Sequence, residues 1–183
     1  QTGWLKAHYP SEFQAANLSC NLSKMDEIKK IMADCKRHKI RVLNPDVNES
    51  DANFTVNKKG DIHFGMGGMK GFGANIVDAI IKEREANGLF KDIYDFCERM
   101  SGTVNRKAME SLVYAGAFDS FGIARSSYFQ PGKSGAQFID ELMDYAAITK
   151  KNAEDDAASL FGEVEELKAE KPEPPVVTGE IDN

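Results

Sequence analysis

The sequence predicts a mainly α fold: short helices, two successive helical pairs and one small β-hairpin. Three observations carry this. Apolar residues recur at helical spacing in stretch after stretch, turns containing glycine or asparagine separate those stretches, and β-like alternation occurs around one polar turn only. The chain has 183 residues, 42% of them apolar and 28% charged, which suits one compact domain or two small ones and excludes a large multidomain enzyme or a wholly disordered chain. No apolar run approaches the roughly 18 residues of a membrane span, and no secretory pattern opens the chain, so a soluble, cytoplasmic protein is expected. Gln1 stands inside an amphipathic stretch, and a segment of a longer polypeptide is expected on that ground.

Pro10 suits a first helical turn, where its missing N–H costs little, and Phe13, Ala16 and Asn17 carry a short helix towards Cys20. Ser23 and Asp26 resemble a capping box with Asp in place of Glu. Behind them Met25, Ile28, Ile31, Met32 and Cys35 share a face, predicting an amphipathic helix over Lys24 to Lys39 whose outer side carries Lys29, Lys30, Lys36 and Arg37. Residues 40 to 50 begin extended and turn at Asn44 and Pro45, because the residue before proline is pushed out of the helical region. Phe54 to Val56 and Ile62 to Phe64, flanking a turn with Gly60, read as a small β-hairpin. His63 has no Cys, His or carboxylate beside it at ligand spacing and is read as structural or exposed.

Ala74 to Ala86 presents Ile76, Val77, Ile80 and Ile81 on one face and stops at Asn87 and Gly88. Asp92 to Met100 gathers Ile93, Phe96, Cys97 and Met100. Asn105 can cap the next helix, in which Ala108, Met109, Leu112 and Val113 face inward before Gly116. Residues 123 to 133 form a connection, and Ala136 to Ile148 is one more amphipathic helix through Phe138, Leu142, Met143 and Ala146. From Glu154 to Asn183 ten acidic residues meet two basic ones, a net −8, so the total of −6 leaves +2 for residues 1 to 153. With Pro172, Pro174 and Pro175 and few aromatics, residues 154–183 are expected to be a disordered acidic linker. Cys20, Cys35 and Cys97 are odd in number and widely spaced, which argues against a disulfide framework or a zinc site.

Chemistry is concentrated in residues 65 to 85, around Gly71, Phe72 and Gly73. Glycine tolerates positive φ and lets a ligand approach the backbone, while the N–H groups of Gly73, Ala74 and Asn75 are the donors a helix start leaves unpaired. The helix dipole favours an anion there, and Lys70 adds positive charge, so a phosphate oxygen fits. A plain tight connection between helices is the alternative. Gly68, Gly71 and Gly73 do not form a dinucleotide fingerprint, and no Gly-Lys-Ser/Thr follows four residues after a glycine as a P-loop requires. The second helical pair repeats the layout with Gly102 and Thr103 in the turn and Asn105, Arg106 and Lys107 opening the helix. Cations at a helix start oppose the dipole, which favours an anionic partner over plain solvent exposure.

The stretches QTGWLKAHYPSEFQAANLS, IRVLNPDVNESDANFTV, IHFGMGGMKGFGANIVDAIIKERE and NRKAMESLVYAGAFDSFG occur in that order over residues 1 to 122 and together resemble the bacterial DNA polymerase III alpha subunit family. ASLFG at 158–162 is similar to a short motif that follows in the family. The resemblance implies that residues 1–50 end the fingers region, that 51–122 hold the hairpin and a tandem helix-hairpin-helix DNA-binding module, and that 123–153 connect to the acidic segment 154–183. It also implies that Lys70, Gly71, Phe72, Gly73, Ala74, Asn75, Gly102, Thr103, Asn105, Arg106 and Lys107 contact the backbone of duplex DNA. Three departures stand out: the family often has a larger or more polar residue where Gly67 and Gly68 stand, SGTVN lacks the glycine–hydrophobic–glycine form of the first turn, and residues 123–153 depart from the pattern.

By the same resemblance the nucleotidyl-transfer reaction belongs to palm aspartates with magnesium, which this chain does not supply, so neither a catalytic residue nor a metal site is expected here. The expected partners are primer–template duplex and, through the parent chain, other replisome subunits including the sliding clamp, with no membrane contact. Two other readings stay open. One is a protein-docking scaffold using the basic helix or the acidic segment. The other is a helix-hairpin-helix glycosylase, for which Asp119 is the one weak catalytic candidate.

Overall fold

The computed structural model describes residues 2–69, 73–158 and 169–176, with the side chains of 156–158 excepted. Among the described residues it is mainly α, with seven α-helices, three short 3-10 turns and a three-stranded sheet. Packing divides the chain into two compact units, Gln1–Gly88 with Ala115–Ala117, and Leu89–Tyr114 with Phe118–Asn183. The dividing line falls inside the 51–122 span, so each helical pair belongs to its own unit.

In the first unit, α1 (Thr2–His8) is followed by α2 (Pro10–Cys20) and α3 (Met25–Arg37). The expected capping box does not form: α3 starts at Met25 after Lys24, and no side chain caps it. Strands β1 (Val42–Leu43), β2 (Thr55–Val56) and β3 (Ile62–His63) make a sheet of order β1-β3-β2. The expected hairpin is the antiparallel β2–β3 pair, with Thr55 opposite His63, and a parallel β1 was not foreseen. Leu18, Ile28, Cys35, Phe54 and Ile62 form the core between helices and sheet, so burial of apolar surface joins the two. His63 is buried, as one of its two readings held, with Nε2 3.4 Å from a Glu49 carboxylate oxygen.

A 3-10 turn over Met66–Gly68 precedes α4 (Ala74–Asn87), which buries Val77 and Ile80. Glycine at position 65 answers to close approach, since a Cβ there would lie 2.6 Å from the Asn53 carbonyl carbon. Arg84 on α4 reaches back to the loop between β1 and β2. Its guanidinium donates to the carbonyls of Val47 and Ser50 at 3.1 and 3.0 Å and to Asp51 at 2.9 Å. One planar fork thereby closes three acceptors of an irregular segment that has no ladder of its own.

The second unit holds α5 (Ile93–Arg99), α6 (Arg106–Ala115) and α7 (Phe138–Ala158). Its core is aromatic: Phe96 lies edge-on to both Phe90 and Phe118 at 4.9 Å, and Tyr128 bridges Phe118 and Phe138. Part of the connection 123–133 is a 3-10 helix, Arg125–Phe129, that buries Tyr128. The segment expected to be a disordered linker is helical as far as Ala158. Residues 169–176 reach α5 at Tyr94, whose hydroxyl donates to Pro172 O at 2.5 Å and whose ring lies under Lys171, while Glu173 pairs with Lys133 at 2.8 Å. Among the described residues no helix is long and apolar enough to cross a membrane.

Candidate nucleic-acid interface

Lys70, Gly71 and Phe72, and with them the centre of the first turn, lie outside the described residues. What is described of that turn is its exit. Gly73 precedes α4 with φ −74° and ψ 142°, an extended conformation that any residue adopts, so the positive-φ argument does not apply at this glycine. A Cβ added to it would meet no atom of the described residues within 4 Å. Openness is therefore its contribution. Gly73, Ala74 and Asn75 are all exposed, and the first turn of the helix closes with Ile76 N–H donating to Gly73 O at 2.9 Å. No described residue accepts from the N–H of Ala74 or Asn75, which stand at the positive end of a helix of fourteen residues.

The second turn is described throughout. Thr103 and Val104 N–H both donate to Met100 O, at 3.0 and 3.1 Å, and Val104 drops into the core. Gly102 takes φ +82°, the left-handed region, so the sequence's glycine signal is answered here rather than at Gly73. Asn105 caps α6 as expected, its side-chain oxygen accepting from Ala108 N–H at 2.9 Å. That cap leaves the N–H groups of Arg106 and Lys107 without an acceptor among the described residues. Gly102, Thr103, Asn105, Arg106 and Lys107 are all exposed.

Arg106 stands differently from its sequence reading. Its guanidinium is bound to Asp140 at 2.6 Å, to Gln137 at 2.6 Å and to Glu110, and the Asp140 hydrogen bond foremost holds it protonated beyond its ordinary range. The unfavourable charge at the helix start is thus answered within the unit, by carboxylates of α6 and α7, and needs no external anion. Lys107 meets no carboxylate among the described residues.

A further cation arrives from α7. The Lys150 ammonium donates to Ser101 O at 3.0 Å and sits 3.4 Å from where a Cβ on Gly102 would stand. One of its donors is used on the turn, and the rest, with the charge, remain at the surface. No sequence signal marked Lys150, since its place follows from α7 packing on α5. Tyr145 and Glu98 fix that packing through a hydrogen bond from the tyrosine hydroxyl to the carboxylate. Behind the turn Phe96, Met100, Met109 and Met143 line an apolar pocket of about 250 Å³.

Asp119, the glycosylase candidate, has its carboxylate held by Arg125, whose Nε donates at 2.8 Å. No group of three His, Cys, Asp or Glu side chains among the described residues is arranged to hold a metal ion.

Comparison with known proteins decides between the families such helical pairs could serve. A helix-hairpin-helix motif model matches residues 39–128, spanning both turns. The DNA polymerase III subunit alpha of Deinococcus radiodurans is 39% identical over 175 residues, 94% of this chain and 12% of that protein. Those of Pasteurella multocida and Escherichia coli are 36% and 34% identical, over 88% and 94% of the chain. The chain belongs to the DNA polymerase III alpha family. It spans 14% of the length of these last two relatives, so it corresponds to a segment of the polymerase subunit. In that segment the helix-hairpin-helix match falls on the two helix starts just described.

Proposed function

We propose that this chain binds the sugar–phosphate backbone of duplex primer–template DNA without sequence specificity, as a non-catalytic part of a replicative DNA polymerase. The observation that carries the reading is the helix-hairpin-helix match over residues 39–128, which spans the starts of α4 and α6, where the first N–H groups find no acceptor among the described residues. Such N–H groups donate to phosphate oxygens and never reach a base edge, so contact with them follows the shape of the strand and ignores its sequence. Lys107 and Lys150 supply charge at the second turn, and Lys70 belongs to the first by sequence. Arg106 serves the fold by tying α6 to α7.

On this reading nucleotidyl transfer and its magnesium ions reside in other parts of the polymerase, and contacts with the sliding clamp and other replisome subunits are made through the parent chain. Asp119, already paired with Arg125, argues for a duplex grip over glycosylase chemistry. The test is fluorescence anisotropy of a labelled duplex over a salt series. Binding that is indifferent to sequence and falls with a log–log slope of about −0.9 per phosphate neutralised supports the reading. Absence of duplex binding at low salt, or release of a damaged base, would reject it.

A further inference from the structure

The outer edge of the small sheet carries chemistry that a duplex grip does not use. Arg41 O and Leu43 O accept from Ile62 N–H and Phe64 N–H at 2.8 and 3.3 Å. A parallel ladder engages one side of a strand at alternate residues, so the N–H and C=O of Val42 point the other way. Since β1 is the outermost strand of the order β1-β3-β2, that side meets no further strand among the described residues. Beside it runs a groove of about 680 Å³ floored by Met32, Ile40, Val42 and Leu43 and rimmed by Lys36 and Lys39. Neither lysine meets a carboxylate among the described residues, whereas Arg41 is committed to Asp61 at 2.8 Å.

Lys39 adds a second observation. Its φ of 58° makes it the one non-glycine residue in the left-handed region among the described residues. Glycine or asparagine is the usual occupant of such a position after a helix. Here a lysine takes it, and the next residue turns back so that Ile40 N–H reaches Cys35 O at 2.9 Å. The strained position thereby holds an ammonium at the mouth of the groove.

We propose that this edge binds an acidic segment of a partner protein in extended form, added to β1 as a fourth strand. The free Val42 amide and carbonyl supply ladder bonds, alternate apolar side chains of the segment enter the groove, and carboxylates between them meet Lys36 and Lys39. A second copy of this chain is disfavoured as occupant, because two-fold pairing of β1 with itself would bring both sets of lysines together.

The test is an amide-resolved NMR titration of the whole chain with a short peptide alternating Glu and Val, beside a counterpart alternating Lys and Val. The Val42 amide signal is expected to shift and gain exchange protection with the acidic peptide only. Affinity is expected to fall roughly tenfold when Lys36→Glu and Lys39→Glu are combined, at unchanged circular dichroism. Equal binding of the Lys peptide, an unmoved Val42 amide, protection of Val42 before any peptide is added, or undiminished affinity of the charge-reversed chain would overturn the proposal.

Discussion

The Lys150 ammonium stands 3.4 Å from the point where a side chain on Gly102 would begin, and its hydrogen bond to Ser101 O holds it there. A glycine in the left-handed region and a lysine from a distant helix thus occupy one surface spot. Replacing Gly102 by Val forces a β-branched residue to φ +82° and displaces the ammonium. Stability is expected to fall by about 1–2 kcal/mol in urea denaturation, with weaker duplex binding. An unchanged denaturation midpoint would show that the turn relaxes without cost.

Among the cations of the second turn, charge and freedom have to be separated. Lys107→Ala and Lys150→Ala are each expected to reduce the salt slope of duplex binding by about 0.9 while leaving thermal stability close to that of the parent. Arg106→Ala is expected to do the reverse, lowering the melting temperature through loss of its Asp140 and Glu110 partners with the salt slope intact. Anisotropy and thermal melts on the three variants distinguish these outcomes, and a slope lost in R106A would contradict the assignment.

Two glycines near the first turn differ in what they allow. Gly73→Val meets no described residue and takes an ordinary backbone angle, so the fold is expected to tolerate it while its branched side chain shields the neighbouring donors and weakens duplex binding. Gly65→Ala would press a methyl into the backbone of residues 52–54, at an expected cost of about 1–3 kcal/mol. Chemical denaturation of both, with anisotropy of the folded one, is the check. Full duplex affinity in G73V would remove the first turn from the interface.

Alkaline pH is expected to unfold the second unit. Burial, with Glu98 and Asp92 nearby, pushes the Cys97 thiol from an ordinary value of 9.0 up to about 12, and burial with the Glu98 hydrogen bond pushes Tyr145 from 10.0 up to about 12. Both groups keep their protons in the folded chain at a pH where the unfolded chain has lost them. The stability they confer is therefore complete below pH ~9 and drains away as pH rises towards ~12. Melting temperatures across that window should fall less steeply in Cys97→Ala, and a parallel fall would place the linkage elsewhere.

Most helices were legible in the sequence, because apolar spacing over ten or more residues reports directly which face is buried. The cap at Asn105 was legible for a similar reason: it is a local bond between residues three apart. Helix α1 was not assigned, and in the structure it buries no residue. The supposed cap at Ser23 shows the limit of such motifs, since the chain turns one residue later than the pattern suggests. Strand β1, two residues long, could not be told from a loop before its partner Ile62 was in place.

At the interface the division is similar. Local order along the chain was enough to place two turns, the helices they open and the kinship to a replicative polymerase subunit. Packing alone decided that Arg106 is consumed by α7 while Lys150 is delivered to the same turn, because both depend on a helix more than thirty residues away. Charge in a sequence has a sign but no partner, and partners are assigned only when distant segments share a surface.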